Sequence, residues 1–515
     1  MTVSDAEYLK KILLAPVYDV AVKSDVDYLT RLSDELGNEI YLKREDQQPV
    51  KSFKLRGAYN RLSQLSDAEA ACGVVAASAG NHAQGLAYSA RRRNVPAVIV
   101  MPETTPDIKV DAVRKFGGEY ATVVLHGTNF DAAKAHAAHL ADTHGYAMIP
   151  PFDHPDVIAG QGTIGRELLE QLPELDTLFI AVGGGGLAAG IAVYLKQLKP
   201  QLKIVAVEAE DSACLQAALA AGKPVALDSV GIFADGVAVR IIGDETFRLC
   251  QQYVDEVMTV STDEICAAIK DIFDDTRVIA EPAGALSVAA IRKYVQQHHL
   301  RGQKLGGILC GANINFHTLR YVSERCELGE QKEAVFAVRI PERKGAFRAF
   351  CAELGGRGIT EFNYRYADGD EAHIFVGLKL REGKAEFAAL TERLHTQGYS
   401  LFDLSDNEMA KLHVRYMVGG RPHQLQHERI FSFEFPEYPG ALMKFLQTLG
   451  ERWNITLFHY RNHGAADGLV LAGFEIQPGS ETDFIAPLQQ LGYQYREQTD
   501  NPAYKFFLAD MNGRS

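Results

Sequence analysis

The sequence predicts an α/β protein with a largely parallel, helix-covered sheet, followed by two copies of a small α+β module. Three observations predict it. From Glu39 to Glu330, short β-branched runs alternate with longer helical stretches, the pattern of strand–helix–strand units. Several of those runs end in glycine or small polar residues, and ligands in such folds bind at the carboxyl ends of strands. The last third repeats itself: Phe336–Phe350 reads FAVRIPERKGAFRAF and Phe431–Phe445 reads FSFEFPEYPGALMKF.

The 515 residues suggest about three domains of ~100 to 200 residues each. Apolar residues make up 47% and charged residues 23%, an ordinary globular composition. A formal charge of −13, with no basic cluster to offset it, argues against nucleic acid as a partner and leaves small molecules. The seven cysteines are scattered, with no pair at metal-site or redox-motif spacing, so a reduced, cytoplasmic protein is expected. Met1–Lys11 is charged and has no apolar core, unlike a signal peptide. Thr177–Leu195 lacks charge and is long enough to span a bilayer, but four consecutive glycines make it a strand, loop and helix instead. No membrane partner is expected.

Strands are expected at Val74–Ala77, Val95–Met101, Ala121–Leu125, Leu178–Val182, Lys203–Val207 and Lys304–Leu309. Before them comes Pro49–Tyr59, with Lys54 between Phe53 and Leu55. In that apolar setting desolvation disfavours the ammonium, so Lys54 is either a nucleophilic amine or a snorkelling lysine at a helix start. The first strand end, Ala77–Gly85, can turn backbone amides at Ser78, Gly80 and Asn81 toward a carboxylate where a helix begins, or can simply cap that helix. His126, His136, His139 and His144 include one helical pair but no third ligand at a metal-site spacing, so no metal is expected.

The second strand end, Val182–Gly190, carries Gly183, Gly184, Gly185 and Gly186 before Leu187. Glycines admit close backbone approach, and a helix N-terminus offers amides to a phosphate. Whose phosphate stays open: Gly184, Gly186 and Ala189 satisfy a dinucleotide fingerprint, and Glu208 lies 22 residues after Gly186, where a ribose-binding acid would be. The third strand end, Ile308–Asn313, holds Cys310 in a glycine turn, as a weak donor or as packing. Gly160–Gly165 (GQGTIG) and Ala280–Ala285 (AEPAGA) are expected as turn-rich pocket edges.

Taken in order, these stretches resemble the threonine and serine dehydratase group of fold type II pyridoxal-phosphate enzymes, the tryptophan synthase β-like fold. The resemblance covers residues 1–330, with 1–324 as the catalytic domain, and implies pyridoxal 5'-phosphate as cofactor. It implies that Lys54 forms the Schiff base and acts as base, with Phe53 beside the ring. It also implies that Ser78, Ala79, Gly80, Asn81 and His82 form the loop for the substrate carboxylate, Asn81 also facing the ring hydroxyl. Gly183 to Gly186 with Leu187 would hold the phosphate. Cys310 stands where the family usually has serine opposite the pyridine nitrogen. Ala79 stands where related serine racemases have the serine base, so racemisation should be weak or absent.

The repeat aligns Pro341 with Pro436, Gly345 with Gly440 and Phe350 with Phe445, then Phe362 and Tyr364 with Phe458 and Tyr460, and Asp406, Asn407 and Lys411 with Asp500, Asn501 and Lys505. A polar connector, 325–333, precedes module 1 (334–412) and module 2 (427–510), each strand, turn, helix, strand, hairpin, strand, helix, strand. These serve as sensors or as oligomerisation modules. They resemble the paired ACT-like (ferredoxin-like) regulatory domains of biosynthetic threonine dehydratases. That resemblance implies L-threonine as substrate, 2-oxobutanoate as product, allosteric isoleucine and valine, and a homotetramer. Tyr364 and Tyr460, at the same point in each copy, are candidates for effector contact or for packing. An NAD-dependent oxidoreductase, a non-catalytic amino-acid sensor and a β-replacing enzyme of the cysteine synthase kind are the alternatives.

Overall fold

The computed structural model describes residues 3–231, 233–316, 318–365, 371–407, 410–411, 425, 427–436, 441–449, 452–461 and 467–501. The chain divides into two compact units, Met1–Gly329 and Glu330–Ser515.

Among its described residues the first unit holds ten strands: β1 (Val26–Tyr28), β2 (Glu39–Arg44), β3 (Val74–Ala77), β4 (Ala97–Met101), β5 (Ala121–Leu125), β6 (Ala147–Met148), β7 (Thr177–Ala181), β8 (Lys203–Ala209), β9 (Glu256–Val260) and β10 (Lys304–Leu309). They form two sheets, β1-β2-β10-β7-β8-β9 and β5-β4-β3-β6. Every pairing is parallel except β1 with β2. Helices cover both faces of a parallel sheet, so its strands are apolar throughout, as in the fully buried VVAA of β3 and TLFIA of β7.

Gly160–Gly165 is not a turn. It lies inside the helix Pro155–Gln171, where its glycines are contact points. A Cβ on Gly160 would lie 2.7 Å from the Arg56 carbonyl oxygen, and one on Gly190 2.3 Å from that of Ile158. Helices Lys54–Ser63, Pro155–Gln171 and Gly186–Leu198 thus meet almost backbone to backbone.

The same junction buries four charges. Arg56 lies 2.8 Å from Glu45 and 2.6 Å from Glu167, and Lys43 lies 2.6 Å from Glu167, with all four side chains at most 1% exposed. Tyr18 donates to Glu167, and Lys43 also donates to the Ser24 carbonyl and to Gln171. Two cations thus balance two anions, with hydrogen bonds filling the remaining positions.

The second unit holds β11 (Glu333–Pro341), β12 (Ile359–Arg365), β13 (Glu371–Lys379), β14 (Ser400–Asp403), β15 (Glu428–Pro436), β16 (Asn454–Arg461), β17 (Asp467–Glu475) and β18 (Gln494–Glu497). Both copies follow the expected order, and β12 pairs with β16 to join them into one eight-stranded antiparallel sheet, β14-β11-β13-β12-β16-β17-β15-β18. Each copy carries a β-bulge at the same place, before Glu361 and before Leu457. At each bulge a threonine hydroxyl donates to a glutamate on the copy's first strand, Thr360 to Glu333 and Thr456 to Glu428. Gly440 and Lys505, two of the repeat's matched positions, lie outside the described residues, as do 366–370, 408–409, 412, 437–440, 450–451, 462–466 and 502–510 of the expected module spans. Arg325–Gly329, the start of the expected connector, forms the last turns of the helix Thr318–Gly329, where Arg325 is buried against Asp263. No helix among the described residues is long and apolar enough to cross a membrane.

Removing one partner of the buried quartet leaves an uncompensated buried charge. Glu167→Ala should therefore destabilise the protein by about 3–5 kcal/mol in urea denaturation. Removing the exposed Glu170 on the same helix, which pairs with Lys23, should cost under about 1 kcal/mol.

Candidate active site

Lys54 opens its helix, and the segment before it is stitched to the end of β10. The Phe53 amide donates to the Cys310 carbonyl (3.1 Å), the Ala312 amide donates to the Lys51 carbonyl (3.0 Å), and Ser52 bridges to Gly311. This brings Lys54 and Cys310 to one place. The Lys54 ammonium reaches the Gly236 carbonyl at 3.3 Å, and the next residue, Val237, packs on the glycine loop, its Cα 2.8 Å from where a Cβ of Gly183 would be. One turn therefore links Lys54 to the loop after β7.

Around Lys54 lies a hydrogen-bonded set that the sequence only hinted at. Asn81, at the start of the helix Asn81–Arg93, donates to Glu281 Oε1 (2.7 Å) and accepts from Asn313 Nδ2 (2.8 Å). Glu281 Oε2 accepts from the Asn313 amide (3.1 Å). AEPAGA is not turn-rich: Pro282–Ala285 forms the first turn of the helix Pro282–His298, and Glu281, just before it, brings the segment to this site; the glutamate before its proline was the available signal.

Burial depresses the Lys54 pKa, with Glu281 and Asp235 acting against it. Burial likewise lifts Glu281 to about 7, aided by Asp235 and opposed by Asn81 and Lys54. The Cys310 thiol is pushed up, first by burial and then by Glu281, and stays neutral. The base and acid beside each other are thus both drawn toward their uncharged forms.

The loop from Gly183 to Gly186 leads into the helix Gly186–Leu198, with Gly185 at φ +86, a conformation suited to glycine. A Cβ on Gly184 would sit 2.2 Å from the Phe152 ring. The first intrahelical bond runs from the Ala189 amide to the Gly185 carbonyl; the amides from Gly183 to Ala188 have no partner among the described residues. Such a run of free amides at a positive helix end suits a phosphate. Glu208 does not complete a dinucleotide site. Its two oxygens accept from the amides of Leu215 (2.7 Å) and Gln216 (2.9 Å), capping the helix Cys214–Ala221, and it is fully buried.

Ser78, Ala79 and Gly80 lie partly exposed between β3 and the Asn81 helix, with Ser78 Oγ accepting from the Gly80 amide at 3.4 Å. His82 is turned away: its Nε2 lies 2.9 Å from the Ile149 carbonyl, so Nε2 bears the proton, and Nδ1 is buried without a partner among the described residues. The three histidines His126, His136 and His139 gather, with His126 and His136 stacked at 3.9 Å, but no group of three ligands that could hold a metal occurs among the described residues. Tyr364 and Tyr460 belong to the second unit, 3% and 8% exposed; Tyr364 donates to Glu342 at 2.8 Å.

Burial lowers the His82 pKa from 6.5 to about 4. The unfolded chain then takes up the proton first, so the stability that neutral His82 contributes is complete above pH 6.5 and is lost as the pH falls toward 4. Over that window the wild type should lose up to about 3 kcal/mol more in urea denaturation than His82→Gln; parallel profiles would contradict the assignment.

The comparisons with known proteins agree with this geometry. A family model described as "Pyridoxal-phosphate dependent enzyme" matches residues 23–311, and one described as "C-terminal regulatory domain of Threonine dehydratase" matches residues 324–414 and 419–508. The chain is 60% identical over 504 residues to the L-threonine dehydratase biosynthetic IlvA of Salmonella typhimurium and to that of Escherichia coli, each match covering 98% of this chain and 97% of the relative. The processed form of threonine deaminase isoform 2 from Solanum lycopersicum superposes with a TM-score of 0.61 at 48% identity, covering 62% of this chain and 92% of that one. A chain with this catalytic fold and this repeated C-terminal third belongs to the biosynthetic threonine dehydratase family of pyridoxal-phosphate-dependent ammonia-lyases.

Proposed function

We propose that the protein converts L-threonine to 2-oxobutanoate and ammonia, the entry step to isoleucine, and that isoleucine inhibits it through the repeated modules. The observation that carries the catalytic part is the convergence of an amine of lowered pKa, Lys54, with a run of free loop amides through the Gly236–Val237 turn.

The donor set fits pyridoxal phosphate. Lys54 would hold the aldehyde, the Gly183–Leu187 amides the phosphate, and the neutral Cys310 thiol would donate weakly to the ring nitrogen. When bound, the cofactor supplies an electron sink for charge developing at the substrate's Cα. Lys54, released by the substrate amine, removes the α-proton, since its lowered pKa leaves more of it in the basic form. The amide-rich end at Ser78–Asn81 would orient the substrate carboxylate. The β-hydroxyl leaves as water, taking the proton that Lys54 has gained from Cα, and hydrolysis, which consumes one water, then releases ammonia. L-Serine would give pyruvate by the same route. Ala79 has no group that moves a proton, which favours elimination over racemisation.

The regulatory part is supported by a cleft within the second unit. Arg343, Arg348 and Tyr364 of the first copy face Leu449, Trp453 and Ile455 of the second. The lining offers cations (Arg343, Lys344, Arg348), a carboxylate (Glu342) and apolar side chains (Leu449, Trp453, Ile455), the three kinds of group that would meet the carboxylate, ammonium and side chain of a free aliphatic amino acid such as isoleucine, with valine competing. Tyr460 is not among the lining residues; it pairs across strands with Phe362. No disulfide joins cysteines among the described residues, the state a reducing compartment favours.

Borohydride reduction of the native protein should fix the cofactor to Lys54, and Lys54→Ala should lower kcat by at least about a thousandfold; a label on another lysine would refute the anchor. Trp453 is the chain's one tryptophan, so isoleucine titration of the full chain should change its fluorescence while threonine at the same concentration should not. An unchanged spectrum at inhibitory isoleucine would move the effector site elsewhere.

A further inference from the structure

Three successive carbonyls of the tetraglycine loop are met from behind by side chains. Cys214 Sγ donates to the Gly183 oxygen (3.2 Å), Thr246 Oγ1 donates to the Gly184 oxygen (2.7 Å), and Cys250 Sγ lies 4.0 Å from the Gly185 oxygen. All three side chains are buried. Thr246 belongs to the first turn of the helix Asp244–Tyr253, and that turn is itself fixed. Asp153 Oδ2 accepts from the Asp244 amide (3.0 Å), and Asp153 Oδ1 accepts from the amides of Glu245 and Thr246 (both 3.1 Å). Phe152, the neighbour of Asp153, fills the space beside Gly184.

In a trans peptide the carbonyl and the following amide point in opposite directions. A hydroxyl that holds the Gly184 oxygen rearward therefore turns the Gly185 amide forward. Without such a hold, a four-glycine run is the segment of chain most free to rotate its peptide planes, and a rotated plane would present a carbonyl oxygen to an anion. Thr246 also lies 3.2 Å from the Gly243 oxygen, but its single proton serves the shorter contact.

We infer that Thr246 is a positioning residue for the cofactor phosphate, locking the Gly184–Gly185 peptide with its amide toward the anion, and that Cys214 does the same more weakly for Gly183–Gly184. The inference rests on the assignment of this loop to the phosphate. It acts through peptide orientation, so it predicts an effect on the phosphate alone and none on the aldehyde end of the cofactor.

The test is equilibrium binding of pyridoxal phosphate and of pyridoxal to the cofactor-free protein, read from the absorbance of the bound aldehyde. Thr246→Val, which keeps the shape and removes the proton, should weaken pyridoxal phosphate about tenfold and leave pyridoxal unchanged, while Thr246→Ser should bind both as the wild type does. Cys214→Ala should shift pyridoxal phosphate in the same direction by a smaller factor, and it carries the test should the valine variant not fold. Unchanged affinity for pyridoxal phosphate in Thr246→Val, or equal losses for both ligands, would overturn the inference while leaving the loop's assignment intact. A wild type that bound the two ligands equally would overturn the assignment itself.

Discussion

The catalytic unit depends on the buried ion quartet of Lys43, Glu45, Arg56 and Glu167. Arg56 lies two residues beyond Lys54 on the same helix, so anchoring its guanidinium on two sides fixes both the rotation and the axial position of the helix that begins at Lys54. Glu45 follows β2 and Glu167 lies on the helix Pro155–Gln171, so the three elements are tied at one point. Buried charges are a poor source of net stability, because desolvation offsets most of their attraction. Their effect is selective: alternative packings of these helices would strand at least one charge without its partner. The glycines at 57, 160, 162 and 190 make the contact possible by letting the backbones approach.

With the helix fixed, the site around Lys54 can be almost free of settled charge. The lysine is pushed toward its neutral form and Glu281 toward its acid form, while His82 and Cys310 are held uncharged. Positive potential for an anion comes instead from backbone amides at two helix starts, Asn81 and Gly186, which do not titrate. Backbone amides do not titrate, so the potential they set stays the same across the pH range in which Lys54 and Glu281 change protonation.

What the sequence made legible were the places where a strand pattern is broken by residues with a backbone purpose. Lys54, the tetraglycine run and Cys310 all stand out locally, and the structure links them as one site. Residues that act from a distance left no such trace. Glu281 meets Asn81 from 200 positions away, and Thr246 and Phe152 support a loop in which neither is encoded. Local pattern also misleads. The glycines of GQGTIG look like turn formers, yet they serve helix packing, and Glu208 sits at the spacing of a ribose acid while capping a helix. The repeat was plain from its prolines and phenylalanines, but the pairing of β12 with β16 was not, because antiparallel edge pairing needs no sequence of its own.

That pairing places Phe362 opposite Tyr460 and Tyr364 opposite Phe458, the arrangement a two-fold axis would produce. In a dimer of identical chains, every change to one half is imposed on the other. Here the halves are covalently joined and encoded separately, so residues 342–345 of the first copy read ERKG where the sequence at 437–440 of the second reads EYPG. The regulatory unit retains the geometry of a symmetric pair while each half drifts on its own, and mutation can alter the sensing face of one half without doubling the disturbance.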